Sequence, residues 1–261
     1  MQHITNVNHT LPIPPFSTPM PLEHQQVHLW LLDLRHVGEL HTRAAISVMS
    51  AEEQVKAEKF IRGKESYIAS RWLLRSCLAR YTGIPAAAIT FARTDKGKPY
   101  IPHSDIHFSL SHSGHWALLA VSRTALLGVD IEANRRARDL PGIAEHYFHP
   151  AEHALLSRLP ADDQTDYFYR LWTLKEAFFK AIGLGISAGL ENIHFTLASD
   201  NTPSTQPQIR AAINPTLPHA HAGWQFQQWQ LPEGDLIALA YAATAPQPTI
   251  WFDALATPAF P

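Results

Sequence analysis

The chain is poorest in cysteine. Cys77 is the single one among 261 residues, which excludes an internal disulfide framework and fits a reducing compartment. No apolar run approaches the roughly 18 residues that a membrane span requires, and the first residues lack the basic and apolar regions of a secretory leader. Nor is there an excess of charge: Lys and Arg total 21 against 23 Asp and Glu, so the global basic field of a nucleic-acid binder is absent. These absences leave a cytoplasmic protein without nucleic-acid or membrane partners as the expectation. With 46% hydrophobic residues the chain can bury an ordinary core, as one large domain or two smaller ones.

Residues 1–26 are polar and proline-punctuated, without periodicity, and read as a flexible arm. Val27–Leu34 has the apolar density of a first strand. Ser50 and Glu53 match a capping box that opens a helix over Ala51–Phe60. A second helix runs from Lys64 to about Tyr81. Ile89–Ala92, Ile106–Ser111, Trp116–Ser122 and Leu126–Ile131 read as strands. Helical pieces are expected over 140–159, broken near Pro150, before a long helix that starts at Asp163 or Thr165. Strands follow at Ile193–Leu197, Trp224–Leu231 and Leu236–Tyr241. Asp200–His221 reads as a surface excursion, and 246–261 as a tail. Both halves run strand, helices, then hairpin strands, so two similar α/β halves are expected, 27–124 and 125–245.

Three stretches carry chemistry. In Leu171–Gly185, Trp172, Glu176, Phe179 and Lys180 share one helical face. Alone, the Glu176–Lys180 spacing is an i,i+4 pair worth about 0.3–0.5 kcal/mol on a solvated face. In Gly128–Glu132, Asp130 and Glu132 point to the same side of a strand, their Cα atoms roughly 6.5–7 Å apart. That is either a strand end reaching solvent or two carboxylates awaiting a cation. With Glu176 they make a hard-oxygen set suited to Mg²⁺. Third, Phe108–His115 offers serines, histidines and a glycine turn to an anion; His112 by itself is more often a satisfied structural histidine.

Taken in order, GKPYI (Gly97–Ile101), FSLSHSGHW (Phe108–Trp116), GVDIE (Gly128–Glu132) and WTLKEAFFKAIGLG (Trp172–Gly185) resemble the 4′-phosphopantetheinyl transferases of the surfactin-synthetase-activating type. RWLLR (Arg71–Arg75) adds weaker support, and the likeness covers about Ser50 to Leu190. It implies two pseudo-dimeric α/β halves, each with a small antiparallel-rich sheet on a long helix, and an active site in the cleft between them. It further implies transfer of the phosphopantetheine arm of coenzyme A to a serine of an apo acyl or peptidyl carrier protein, releasing adenosine 3′,5′-bisphosphate. On that resemblance Asp130, Glu132 and Glu176 hold Mg²⁺, and Glu176 or a water it orients is the base. Lys180 meets the pyrophosphate. Arg71, Lys98, Ser111 and His112 contact the nucleotide and its 3′-phosphate, with Lys175, and then Lys56 and Lys59, as further phosphate contacts. A monomer with its own complete site is expected.

Arg135, Arg136 and Arg138 form the densest positive cluster in the chain, either an exposed loop or a docking patch for an acidic carrier. Two rival readings fit the residues less well. A histidine-based metallohydrolase lacks an HExxH or comparable zinc spacing despite 16 histidines. A protein that binds coenzyme A or a carrier without chemistry has little use for a carboxylate base beside a metal site.

Overall fold

The structure, a computed structural model, describes residues 2–3, 19–24, 26–36, 43, 45–133, 139–185, 189–197, 209–242 and 247–251. In chain order the strands are β1 Gln2–His3, β2 Gln26–Asp33, β3 Ala92–Arg93, β4 Pro99–Tyr100, β5 His107–Ser113, β6 Trp116–Ser122, β7 Leu127–Glu132, β8 Ile193–Leu197, β9 Ile209–Ile213, β10 Trp224–Gln230, β11 Leu236–Ala242 and β12 Gln247–Trp251. The helices are α1 Ala51–Glu58, α2 Lys64–Thr82, α3 Leu140–Tyr147, α4 Pro150–Leu156 and α5 Ala161–Ile182. Two four-stranded sheets dominate, ordered β12-β2-β6-β5 and β1-β10-β11-β7, beside the two-stranded pairs β3-β4 and β8-β9.

The layering follows from side-chain alternation. Trp30 and Leu32 of β2, with Ala117, Leu119 and Val121 of β6, pack against α2. The intervening Val27, Leu29 and Leu31, with Leu118 and Ala120, face the other way. There they meet Val129 and Ile131 of β7 and Ile237, Leu239 and Tyr241 of β11 in one shared core. The opposite face of β11, through Leu236, Ala238 and Ala240, packs on α5. Both sheets are thus covered on both sides, which is why β6 reads WALLAVS without a polar interruption until its last residue. The expected class, two similar α/β halves each built on a long helix, is what the chain adopts.

Ser50 caps α1 through the reciprocal box with Glu53, and Gly183, at φ 74°, ends α5 in the left-handed conformation. Three local expectations differ. The long helix begins at Ala161, one turn early, with Pro160 preceding it; proline restricts φ in a way that suits a helix start. Ile89 follows a 3₁₀ turn instead of opening a strand, and only Ala92–Arg93 pairs there. The excursion over 200–221 contains β9, which pairs antiparallel with β8. Most of the proline-rich arm lies outside the described residues. Within it, β1 pairs parallel with β10, and Met20 and Leu22 are buried against α2's core. β12 pairs parallel with β2. Among the described residues no helix is long and apolar enough to cross a membrane.

Candidate active site

The two sheets present edge strands to one another, β5 and β7. An edge strand leaves alternate backbone N–H groups unpaired. Here those of Val129, Ile131 and Ala133 are taken up by serine hydroxyls: Val129 N donates to Ser109 Oγ at 3.1 Å, Ile131 N to Ser111 Oγ at 3.4 Å and Ala133 N to Ser113 Oγ at 3.2 Å. Two of the serines also donate to the acids of β7. Ser111 Oγ lies 2.8 Å from Asp130 Oδ1, and Ser113 Oγ 2.8 Å from Glu132 Oε1.

The same face of β7 lies against α5. Gly128 sets the spacing: a Cβ built there would fall inside the contact shell of the Ala177 carbonyl oxygen and 2.5 Å from Ala181 N. Glycine at the head of GVDIE is therefore a requirement of close approach, not of backbone angle. This brings Lys180 within reach of β7, its ammonium 2.6 Å from Asp130 Oδ1 and 2.9 Å from Ser111 Oγ. Glu176 stands one turn earlier on α5. Burial, then the nearby Asp130 charge, with Glu132 adding to it and Lys180 opposing, push its carboxyl up to about 7.

Beside Lys180 opens a cavity of about 540 Å³ with walls from both halves. Lys56, Arg71, Arg93, Lys96, Lys98 and Lys180 line it against only Glu52 and Glu53, with Phe60, Tyr67, Phe108 and Phe179 supplying apolar wall. His112 lines it too, its pKa lowered first by loss of surrounding water and then by Lys180 and Arg71. Arg71 stacks over Tyr67, its Cζ 5.4 Å from the ring centre. Its Nη1 is 3.9 Å from Glu53 Oε1, while its buried Nε has no hydrogen-bond partner. A buried guanidinium nitrogen without an acceptor, in a wall of cations, suits an anionic ligand.

Of the predicted site residues, Asp130, Glu176, Lys180, Ser111, His112, Arg71 and Lys98 thus lie on or next to this cleft, as does Lys56. Lys98 has a second commitment: its ammonium donates to Ala181 O at 2.6 Å and Leu127 O at 3.3 Å, tying β4's approach to the end of α5. Burial there lowers its pKa to about 8. Lys59 does not line the cavity.

Lys175 is a correction. Its side chain is fully buried, its ammonium 2.7 Å from Glu152 Oε2 and bonded to the carbonyls of Leu190 and Ile193. It cannot reach a phosphate in the cleft. At 100° per residue it lies about 140° around α5 from Lys180, so helical phase alone separates the two.

Arg135, Arg136 and Arg138 lie outside the described residues. Arg93, Lys96 and Glu53 were not foreseen as part of the cleft, and neither was Ser113, although the period-two serines of β5 were visible. Asp130, Glu132 and Glu176 are not drawn together as a closed metal cage. Among the described residues the one trio of ligand atoms mutually within 4.8 Å is His115, Glu233 and Asp235. Those are engaged elsewhere: Arg35 bridges Asp33 and Glu233, and Trp116 Nε1 donates to Asp235 at 2.7 Å.

The sequence that builds this cleft has known relatives. The profile of the 4′-phosphopantetheinyl transferase superfamily matches residues 126–242, and that of the N-terminal 4′-phosphopantetheinyl transferase domain matches 39–124. The chain belongs to the 4′-phosphopantetheinyl transferases. It is 32% identical over 252 residues to the 4′-phosphopantetheinyl transferase HetI of Nostoc sp., covering 94% of this chain and 99% of that protein. To the 4′-phosphopantetheinyl transferase Sfp of Bacillus subtilis it is 30% identical over 211 residues, 80% of this chain and 88% of that one. A second Bacillus subtilis 4′-phosphopantetheinyl transferase is 36% identical over 167 residues, 62% of this chain and 72% of the relative.

Proposed function

We propose that this transferase moves the 4′-phosphopantetheine arm of coenzyme A onto a serine hydroxyl of an apo acyl or peptidyl carrier protein and releases adenosine 3′,5′-bisphosphate. The observation that carries the reading is the row of six cations in a cleft that ends at Lys180, whose ammonium rests on Asp130. A co-substrate bearing a pyrophosphate and a 3′-monophosphate needs such local charge, because the protein as a whole is at −2.

In this reading Arg71, His112 and Lys56 bind the nucleotide phosphates, and Lys180 leaves Asp130 for the pyrophosphate. Asp130, Glu132 and Glu176 hold Mg²⁺. The donor set fits: burial, and then the charges of Asp130 and Glu132, push the Glu176 carboxyl up to about 7, and three such neighbouring carboxylates favour a hard cation among them. Bound there, the ion would offset charge building on the pyrophosphate oxygens. Glu176, or a water it orients, takes the serine proton as the new O–P bond forms. The bond from that phosphorus to the departing bisphosphate breaks, and Lys180 meets the charge left behind. The unit of function is a cytoplasmic monomer with halves at 27–124 and 125–245, a reading supported by a cleft and a central core that draw on both. Arg135, Arg136 and Arg138 dock the carrier.

The test is intact mass of an apo-carrier incubated with enzyme and coenzyme A. The carrier is expected to gain one phosphopantetheine arm, and to lose that gain with EDTA or in Glu176→Ala. Charge reversal at Arg135 and Arg136 is expected to raise KM for the carrier. No gain on several unrelated apo-carriers would overturn the reading.

Glu176 also gives the metal-free protein a pH dependence. A carboxyl raised in the folded state holds its proton above the unfolded pKa, so stability falls as pH rises from the ordinary carboxylate range to about 7. Mg²⁺ is expected to cancel this. Calorimetric scans from pH 5 to 8 should show a Tm gain on adding Mg²⁺ that grows through this window and is absent in Glu176→Gln. A gain independent of pH would place the ion elsewhere.

A further inference from the structure

The three serines of β5 are not equivalent. Each accepts a backbone N–H from β7 or the residue that follows it at a constant offset, 109 to 129, 111 to 131 and 113 to 133, so the two edges run side by side in one register. Accepting through one lone pair leaves each hydroxyl proton to be aimed by its neighbour. Ser109 faces the position of Gly128, which offers no side chain. Ser111 is shared between Asp130 and Lys180. Ser113 has Glu132 as its side-chain acceptor, at 2.8 Å, and because an ionised carboxylate only accepts, the hydroxyl must donate.

We propose that Ser113 is a positioning residue for divalent-metal binding: its hydroxyl, locked by the Ala133 N–H, fixes the Glu132 carboxylate. The N-terminal half then sets the metal affinity of a site whose carboxylates all come from the C-terminal half. This rests on the reading of Asp130, Glu132 and Glu176 as the Mg²⁺ site. Glu132 stands at the last residue of β7, where its side chain is only part-buried. Without the serine the carboxylate loses this hydrogen bond, and part of the entropy of ordering it falls on the metal. Outer partners of metal ligands typically change affinity by about 10–100-fold when removed.

The experiment titrates the full-length protein with Mn²⁺, following free ion by electron paramagnetic resonance, alongside thermal scans without metal. Ser113→Ala is expected to bind Mn²⁺ about 10-fold more weakly, and Ser113→Thr, which keeps the hydroxyl on a strand-compatible residue, to bind near the wild-type level. Ser109→Ala removes a hydroxyl with the same backbone bond but no carboxylate partner. It is expected to lower Tm comparably and leave Mn²⁺ affinity unchanged. Wild-type affinity in Ser113→Ala, or an equal loss in Ser109→Ala, overturns the proposal while leaving the metal site standing. Absence of Mn²⁺ binding by the wild-type protein overturns the metal site, and the role of Ser113 with it.

Discussion

Lys175→Met is expected to destabilise the protein by about 3–5 kcal/mol, because it removes one partner of a fully buried ion pair. Both side chains have no exposed surface. Glu152 accepts from Phe195 N at 2.7 Å and from His149 N at 3.1 Å, so α4's capping box and the middle of β8 converge on one carboxylate. Lys175 returns the charge and adds bonds to the carbonyls of Leu190 and Ile193. Burial pulls its pKa down while Glu152 holds it up. Methionine keeps the stem but leaves Glu152 buried and unbalanced, with two carbonyls losing their donor. For a chain of this size that corresponds to a Tm drop on the order of 10 °C. Lys175→Met with Glu152→Gln should recover part of the loss, since two neutral groups replace a lone charge. Urea denaturation of both variants checks this. Below saturation of unfolding, KM for coenzyme A should remain that of the wild type; a raised KM with unaltered stability would instead return Lys175 to the phosphate site.

Gly128→Ala should damage both stability and turnover. The obstacles to a methyl group are backbone atoms of α5, Ala177 O and Ala181 N, which cannot swing aside as a side chain can. Overpacking commonly costs about 1–3 kcal/mol, and occasionally more. The functional cost is larger, because relief requires α5 to move away from β7. That displaces Lys180 from Asp130 and Glu176 from the acidic strand in the same motion. Misplacement by about 1 Å can cost on the order of 100-fold in rate. The expected result is therefore a protein with lowered Tm and turnover down by about 100-fold or more. Turnover and Tm matching the wild type would show that the strand and helix are not so closely apposed in solution.

The relation of sequence to structure is uneven for identifiable reasons. Helix caps, the WALLAVS strand and the period-two serines are local features, and each signals its element. Gly128 looked like part of a motif, but its reason is a close approach to a residue 49 positions later, which no local pattern records. Lys175 was drawn toward the cleft by its neighbours Glu176 and Lys180, whereas its helical phase turns it inward onto Glu152. The bonds from Ser109, Ser111 and Ser113 to β7 and Ala133 depend on the register between two edge strands belonging to different sheets. The strand β9 was obscured by the Pro- and Asn-rich residues around it. Arg93 and Lys96 sit on a hairpin whose position over the cleft is set by Lys98 reaching α5.

The exchanged terminal strands change what a half of this molecule is. β1, at the start of the chain, extends the sheet of the second half, and β12, near its other end, extends the sheet of the first. A scission in the crossing between Ser122 and Leu127 would therefore not liberate two autonomous folding units. Each fragment would carry the border strand of its counterpart and lack its own, leaving an open edge on both. Fragment complementation would then be obligatory and mutual, like clasped hands, with neither piece attaining its native sheet except in the company of the other.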